Sequence, residues 1–164
     1  MKKLDAMQVI EKLGLVPLEG EGGMYLQTYI SDTPYGDGSL GTAIYYMLTA
    51  NSFSHMHKLE GDEIYHFYLG DPVELCLLHE DGTSEIVRLG QNLAEGEEVQ
   101  HIVPKGTWQG SHLAPGGEWA LVGTTNFPGY RDAEYQHGSR EELIKAYPDM
   151  EKYIRILTGD VKAY

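Results

Sequence analysis

The chain has 164 residues, enough for one domain with a sizeable core, and its 41% apolar content excludes global disorder. Against 12 basic residues stand 25 acidic ones, a net charge of −13, which repels phosphate backbones and anionic lipid and so disfavours nucleic-acid and membrane partners. Cys76, the only cysteine, rules out an intrachain disulfide and any multi-cysteine zinc site.

The first residues lack the apolar stretch of a secretory signal, and no window approaches the roughly 18 apolar residues of a membrane span. A cytoplasmic location is therefore expected. A short helix is predicted over 5–14: Asp5 and Gln8 have capping-box spacing, Met7, Ile10 and Leu13 share a face, and Gly14 is a natural stop. Gly20 to Gly23 then break the chain. Short runs rich in branched and aromatic residues follow at 24–30, 43–48, 63–69, 73–78, 85–89, 100–103 and 119–125, separated by turn residues. Asp81-Gly82 is the strongest hairpin signal. Cys76, inside the run 73–78, is expected as a buried small hydrophobe. Helix returns only at the end, over 139–158, where Ser139 and Glu142 have capping-box spacing and Leu143, Ile144 and Tyr147 form an apolar stripe. No repeat or linker is visible. The expected organisation is one domain over 1–164, an all-β closed barrel or sandwich with a core of about 24–127 and helical ends.

Chemistry concentrates in Ser54-His55-Met56-His57-Lys58-Leu59-Glu60-Gly61-Asp62-Glu63. On an extended chain His55 and His57 project from one face, and Glu63 opens the next strand. Two imidazoles and a carboxylate inside a barrel suit a divalent transition metal such as Fe, Mn, Ni or Zn. They equally suit metal-free acid/base work. Tyr65 and Phe67 share the face of Glu63 by alternation and would line a pocket with rings. His66, three residues from Glu63, points the other way. His79 beside the Asp81-Gly82 turn, His112 and His137 are expected at the surface, and the face of His101 is not fixed by the pattern.

These residues resemble the first motif of the cupin superfamily: His-x-His, a gap, Glu, six residues, Gly. The gap from His57 to Glu63 is five residues, longer than usual. The second motif is met by Gly96 and Pro104-Lys105-Gly106-Thr107-Trp108-Gln109, with Gln109 where the last histidine ligand stands in the pattern. Gly36-Asp37-Gly38-Ser39, the run from Ala43 to Leu48, the run from Asp62 to Tyr68 with Gly70-Asp71-Pro72, and Leu121-Val122-Gly123 before Pro128-Gly129-Tyr130 resemble a group of single-domain cupins that are similar to nucleotide-sugar (dTDP-sugar) epimerases. The resemblance covers about 10–158. It implies a double-stranded β-helix (jelly-roll) barrel, a homodimer, and a carbohydrate-like small-molecule ligand.

Three readings follow. In the first, an isomerase or epimerase acts on a sugar-like or hydroxy-acid substrate, with His57 as the proton-transferring base and Glu63 orienting it. Within it, a metal-dependent variant, an oxygenase or lyase among them, uses His55, His57, Glu63 and Gln109 as ligands. His55 is either a third ligand or a loop histidine at the mouth, and a neutral amide at 109 is a poor ligand beside imidazole. Tyr65, Phe67, Trp108 and Gln109 are the expected substrate contacts. In the second, the same pocket binds a metabolite without turnover. In the third, the barrel is chiefly an assembly unit.

Overall fold

The computed structural model describes residues 4–164. In chain order the strands are β1 (Val16–Pro17), β2 (Met24–Ile30), β3 (Pro34–Tyr35), β4 (Gly38–Ser39), β5 (Thr42–Thr49), β6 (Phe53–Lys58) and β7 (Asp62–Gly70). They continue with β8 (Val73–Leu78), β9 (Ser84–Leu89), β10 (Gln100–Val103), β11 (Trp108–Leu113), β12 (Trp119–Phe127) and β13 (Gln136–His137). The helices are α1 (Ala6–Leu13), α2 (Arg140–Ala146) and α3 (Glu151–Ile156).

Two antiparallel sheets carry the molecule. One runs β1-β2-β5-β12-β7-β10, the other β13-β6-β11-β8-β9, and β3 with β4 forms a small ribbon. Sheet neighbours are mostly distant in sequence, as β12 between β5 and β7, which is the jelly-roll connectivity the fold expectation named.

Period-two alternation sorts the side chains. Leu75, Leu77, Phe67, Val122 and Leu48 face inward and meet in one apolar cluster between the sheets. The outer face of the first sheet, through Met47 and Leu121, is covered by Val9 and Ile10 of α1. The outer face of the second sheet, through Met56, Cys76 and Leu78, is covered by Leu143, Ile154 and Leu157 of the C-terminal helices. Cys76 is buried there, and burial pushes its thiol up to about 12.

The N-terminal helix forms with both halves of the Asp5/Gln8 capping box and Gly14 at φ 67 as its left-handed cap. Its buried face is Val9 and Ile10, whereas Met7 is 50% exposed. The C-terminal stretch is two short helices joined by a 3-10 turn at Pro148–Met150, because proline cannot continue α2. Ser139 occupies the N-cap without a side-chain capping bond, so the expected box there does not close. The Asp81-Gly82 signal is correct: β8 and β9 pair antiparallel around it, and Asp81 Oδ1 accepts from the Thr83 amide at 2.9 Å. None of the helices among the described residues is long and apolar enough to cross a membrane.

Candidate active site in the barrel mouth

The inward residues of the first sheet change character toward one end. Thr42 of β5, Asn126 of β12 and Glu63 of β7 lie in register as cross-strand partners. The next row is Ile44, Thr124 and Tyr65. These six, with His57 from the opposite sheet, line a cavity of about 530 Å³. Thr42, Asn126, Glu63, Thr124, Tyr65 and His57 are all buried. Two loops finish the walls. The turn after β1 brings Glu19 and Glu21, and the segment after β12 brings Tyr130, Arg131 and Asp132.

The glycine-rich turn explains the first loop. Gly22 donates to Leu18 O at 2.9 Å and its carbonyl accepts from Tyr46 Oη at 2.9 Å, which ties the turn onto β5. A Cβ at Gly22 would lie 2.3 Å from Phe53 O, at a φ of 98, so the close approach requires glycine. Glu21 is thereby set beside β6, where its Oε1 accepts from Ser54 Oγ at 2.8 Å.

His57 Nδ1 lies 2.7 Å from His55 O. A carbonyl only accepts, so Nδ1 carries the proton and Nε2 is the basic nitrogen. Tyr135 stacks on the ring, with centroids 5.2 Å apart and planes 16° off parallel. The group that orients His57 is thus a backbone carbonyl and not Glu63, which corrects the expected pairing. Glu63 is held instead by Gln109, whose Nε2 donates to Oε2 at 2.8 Å. Burial raises the Glu63 carboxyl above its usual range, and His57 nearby pulls it partly back. The Thr124 hydroxyl beside Glu63 also favours its charged form, and Gln109 Oε1 is buried without a protein partner.

Four expected site residues do not line the cavity: Gln109 stands behind Glu63 as its hydrogen-bond donor, and His55, Trp108 and Phe67 lie elsewhere. A β-bulge explains His55: β6 and β11 pair His57 with Gln109 and Ser54 with Ser111, so three steps on β6 match two on β11. The extra residue breaks the alternation that would have put His55 beside His57. His55 stacks instead on His137 of the edge strand β13, centroids 3.6 Å apart and planes 19° off parallel. Burial, with His137, His57 and Arg140 adding to it, lowers the pKa of His55. Trp108 precedes inward-facing Gln109 and so points outward, packed against the cluster under the C-terminal helices with Lys58 Nζ 4.9 Å from its ring centre. Phe67 does share the face of Glu63, but two rows deeper, within the apolar core.

The remaining histidines sort by alternation. His66 lies on the outer face and bonds Thr125 Oγ1 at 3.2 Å. His79 is near solvent, 3.0 Å from Glu85. His101 Nδ1 lies 2.8 Å from Glu98 Oε2. His112, expected at the surface, is half-buried with Nδ1 2.7 Å from Leu113 O. Among the described residues no three His, Cys, Asp or Glu side chains converge as a metal centre would require. Of the four expected ligands only His57 and Glu63 face the cavity, and Gln109 already directs its N–H at Glu63, so the donor set does not fit a cupin metal site.

Sequence reasoning missed Glu21, Thr124, Asn126, Tyr130 and Tyr135. The run 119–125 was foreseen, and counting its alternation inward from Val122 would have placed Thr124, and by extending the strand past its expected end Asn126, on the same face. The loop residues carried no such signal.

A jelly-roll barrel whose open end holds a polar cavity is the class this fold and site define. Residues 7–137 match the family described as Cupin superfamily (DUF985), and the chain belongs to that family. It is similar to a protein from Shewanella oneidensis at 31% identity, covering 96% of this chain and 99% of that one with a TM-score of 0.89. A hypothetical protein from Leishmania major is similar at 28% identity, 96% and 100% coverage and a TM-score of 0.85. Oxalate decarboxylase of Bacillus subtilis, a protein with Mn(II) centres, aligns at 13% identity over 89% of this chain and 38% of its own, with a TM-score of 0.56, and shares the fold alone. Comparison with curated proteins gives no match.

Proposed function

We propose that the barrel mouth binds a small polyhydroxy carbonyl compound and moves a proton on the carbon beside its carbonyl, an isomerase or epimerase reaction run without a metal. One observation carries this reading: a basic imidazole nitrogen on one sheet and a buried carboxyl of raised pKa on the other line the same cavity. A proton acceptor and a proton donor facing one pocket are what acid/base catalysis requires. His57 Nε2 takes the proton from carbon. Glu63, whose burial favours the protonated form, gives a proton to the carbonyl oxygen, producing a neutral enediol. Returning the proton from His57 to the former carbonyl carbon, while Glu63 takes the proton of the neighbouring hydroxyl, completes isomerisation. Turning the enediol over before His57 returns the proton to the original carbon, with Glu63 taking back the proton it gave, completes epimerisation. Gln109 holds Glu63 in place, and the His55 carbonyl fixes the tautomer of His57.

Exchange with solvent tests this directly. In deuterated water, a substrate should gain deuterium at the carbon beside its carbonyl, read by proton NMR. His57→Ala should lose at least ~100-fold in exchange rate, the scale of general-base removal, while keeping its melting transition. Dialysis against EDTA should leave the rate unchanged. Undiminished exchange in His57→Ala would end the catalytic reading. Binding without turnover is the second reading, supported by the amide of Gln109 with its unpartnered Oε1; a ligand that raises the melting temperature yet never exchanges would favour it.

The exposed edge strand β10, carrying Ile102 at 57% exposure, supports the homodimer that the family resemblance implies. Sedimentation at micromolar concentration checks it, and a monomer would count against it.

A further inference from the structure

We infer that the molecule taken by the barrel mouth carries a positive charge, specifically a protonated amine on a small polyhydroxy scaffold. The inference rests on the reading of this cavity as a small-molecule site and narrows its substrate class.

Charge in the walls is one-sided. Apart from Glu63, which serves as the proton donor, Glu21 is half-buried in the wall, and Glu19 and Asp132 stand exposed at the rim. Among the described lining residues the one guanidinium is Arg131, and it is already ion-paired to Asp37 through Nη1 and to Glu134 through Nη2. His57 presents a lone pair from Nε2, since its proton is held by the His55 carbonyl. An anion entering this cavity would meet carboxylates with no free cation to receive it. A sugar diphosphate, the ligand of the enzymes the sequence resembles, is therefore disfavoured.

The polar atoms without partners agree. Thr124, 3% exposed, lines the cavity beside Glu63, and Gln109, which donates to Glu63 from its Nε2, has no donor on its Oε1. A hydroxyl still turns either way, but the amide oxygen only accepts. A buried acceptor left unmatched costs about 1–3 kcal/mol, so a ligand rich in N–H and O–H donors gains by meeting it. Tyr25, Tyr46, Tyr65 and Tyr130 supply aromatic walls, and aromatic rings near carboxylates attract ammonium groups. Glu21 is the central carboxylate. Besides burial, the main cause, its charge helps raise the phenol pKa values of Tyr46, Tyr65, Tyr130 and Tyr135.

Matched triplets provide the test. Each scaffold is offered as amine, alcohol and carboxylate, for example glucosamine, glucose and glucuronate, with glucose 1-phosphate as a further anion, and binding is measured by calorimetry at pH 7. Within a triplet that binds, the amine should be at least ~10-fold tighter than the alcohol, and the carboxylate weaker still. Glu21→Gln keeps an amide oxygen for Ser54 and removes only the charge. It should weaken the amine ~5- to 10-fold and leave the alcohol within ~2-fold, the scale of one partly solvated charge pair. Asp132→Asn, at the exposed rim, repeats the measurement with a smaller loss if the first variant folds poorly. A carboxylate or phosphate that binds as tightly as its amine would overturn the inference and leave the small-molecule site standing. No binding by any member of any triplet would remove both.

Discussion

Along β5, β12 and β7 the inward residues run from Thr42, Asn126 and Glu63 at one end of the barrel to Leu48, Ala120 and Phe67 toward the other. The same three strands, in one continuous register apart from a bulge between Leu121 and Val122, therefore build a polar cavity and a dry core. The closed end follows the ordinary rule that apolar surface leaves water. The open end violates it with a buried carboxyl, an unpartnered amide oxygen and an imidazole, groups that are costly to bury and are retained where a site uses them. Stability and chemistry are divided along the strand, and the division can be tested from either end.

The largest effect is expected at the closed end. Leu75 on β8 is fully buried between the sheets. Leu75→Ala should lose about 2–5 kcal/mol, the cost of a core cavity, measured by urea denaturation. Ligand affinity in the folded fraction should stay within ~2-fold. A large affinity loss would show that the two ends are not separable. A smaller loss, about 1–3 kcal/mol because the ring is only half-buried, is expected for Trp108→Ala. Its ligand affinity should also be unchanged, since the indole lies under the C-terminal helices. Weakened binding would return Trp108 to the mouth, where the sequence had suggested it.

That misplacement shows what was legible. Seven strands stood out because branched and aromatic residues alternate in them, and that pattern is a direct record of one buried face. Two central strands of the second sheet, β6 and β11, did not stand out. Their inward positions include Ser54, His57, Gln109 and Ser111, polar residues that erase the apolar signal; His57 lines the cavity, and Ser54 and Gln109 hold its carboxylates Glu21 and Glu63. Function hid the strands that carry it. His57 and Glu63 were readable from type and spacing alone. The side on which His55 falls was not, because a bulge depends on pairing with β11, which no local pattern reports. Glu21 and Tyr130 were hidden for another reason: they reach the cavity from loops, whose paths are fixed by contacts such as Tyr46 Oη to Gly22 O.

At the open end the expected stability effect is smaller and depends on pH. Burial raises the folded-state pKa of Glu63 above its unfolded value, ordinarily near ~4.3. The folded state then holds the proton more tightly. The associated stability is fully present below the unfolded pKa and is lost as pH rises through the folded one. Glu63→Gln does not titrate and keeps an oxygen to accept from Gln109. Its melting temperature should exceed that of the parent at pH 8, with the gap closing toward pH 4. A gap that is constant with pH would mean that the carboxyl is not desolvated.

The smallest effect belongs to the rim, where His55 stacks on His137. Here the sign reverses. Burial, helped by the charges of His137, His57 and Arg140, lowers the folded pKa of His55 below its unfolded value of about 6.5. The folded state binds the proton less readily, so this contribution is complete above about pH 6.5 and is lost as pH falls toward the folded value. Two substitutions separate the stack from the charge. His137→Ala removes both and should cost about 0.5–1 kcal/mol at pH 8, the scale of an aromatic pair. His137→Phe keeps a ring against His55 but cannot titrate, so it should hold most of the pH 8 stability and lose less than the parent on acidification to pH 5. If both variants track the parent at every pH, the His55–His137 stack contributes nothing to stability. Tyr135 on His57 would then be the remaining aromatic contact from this segment onto a cavity histidine.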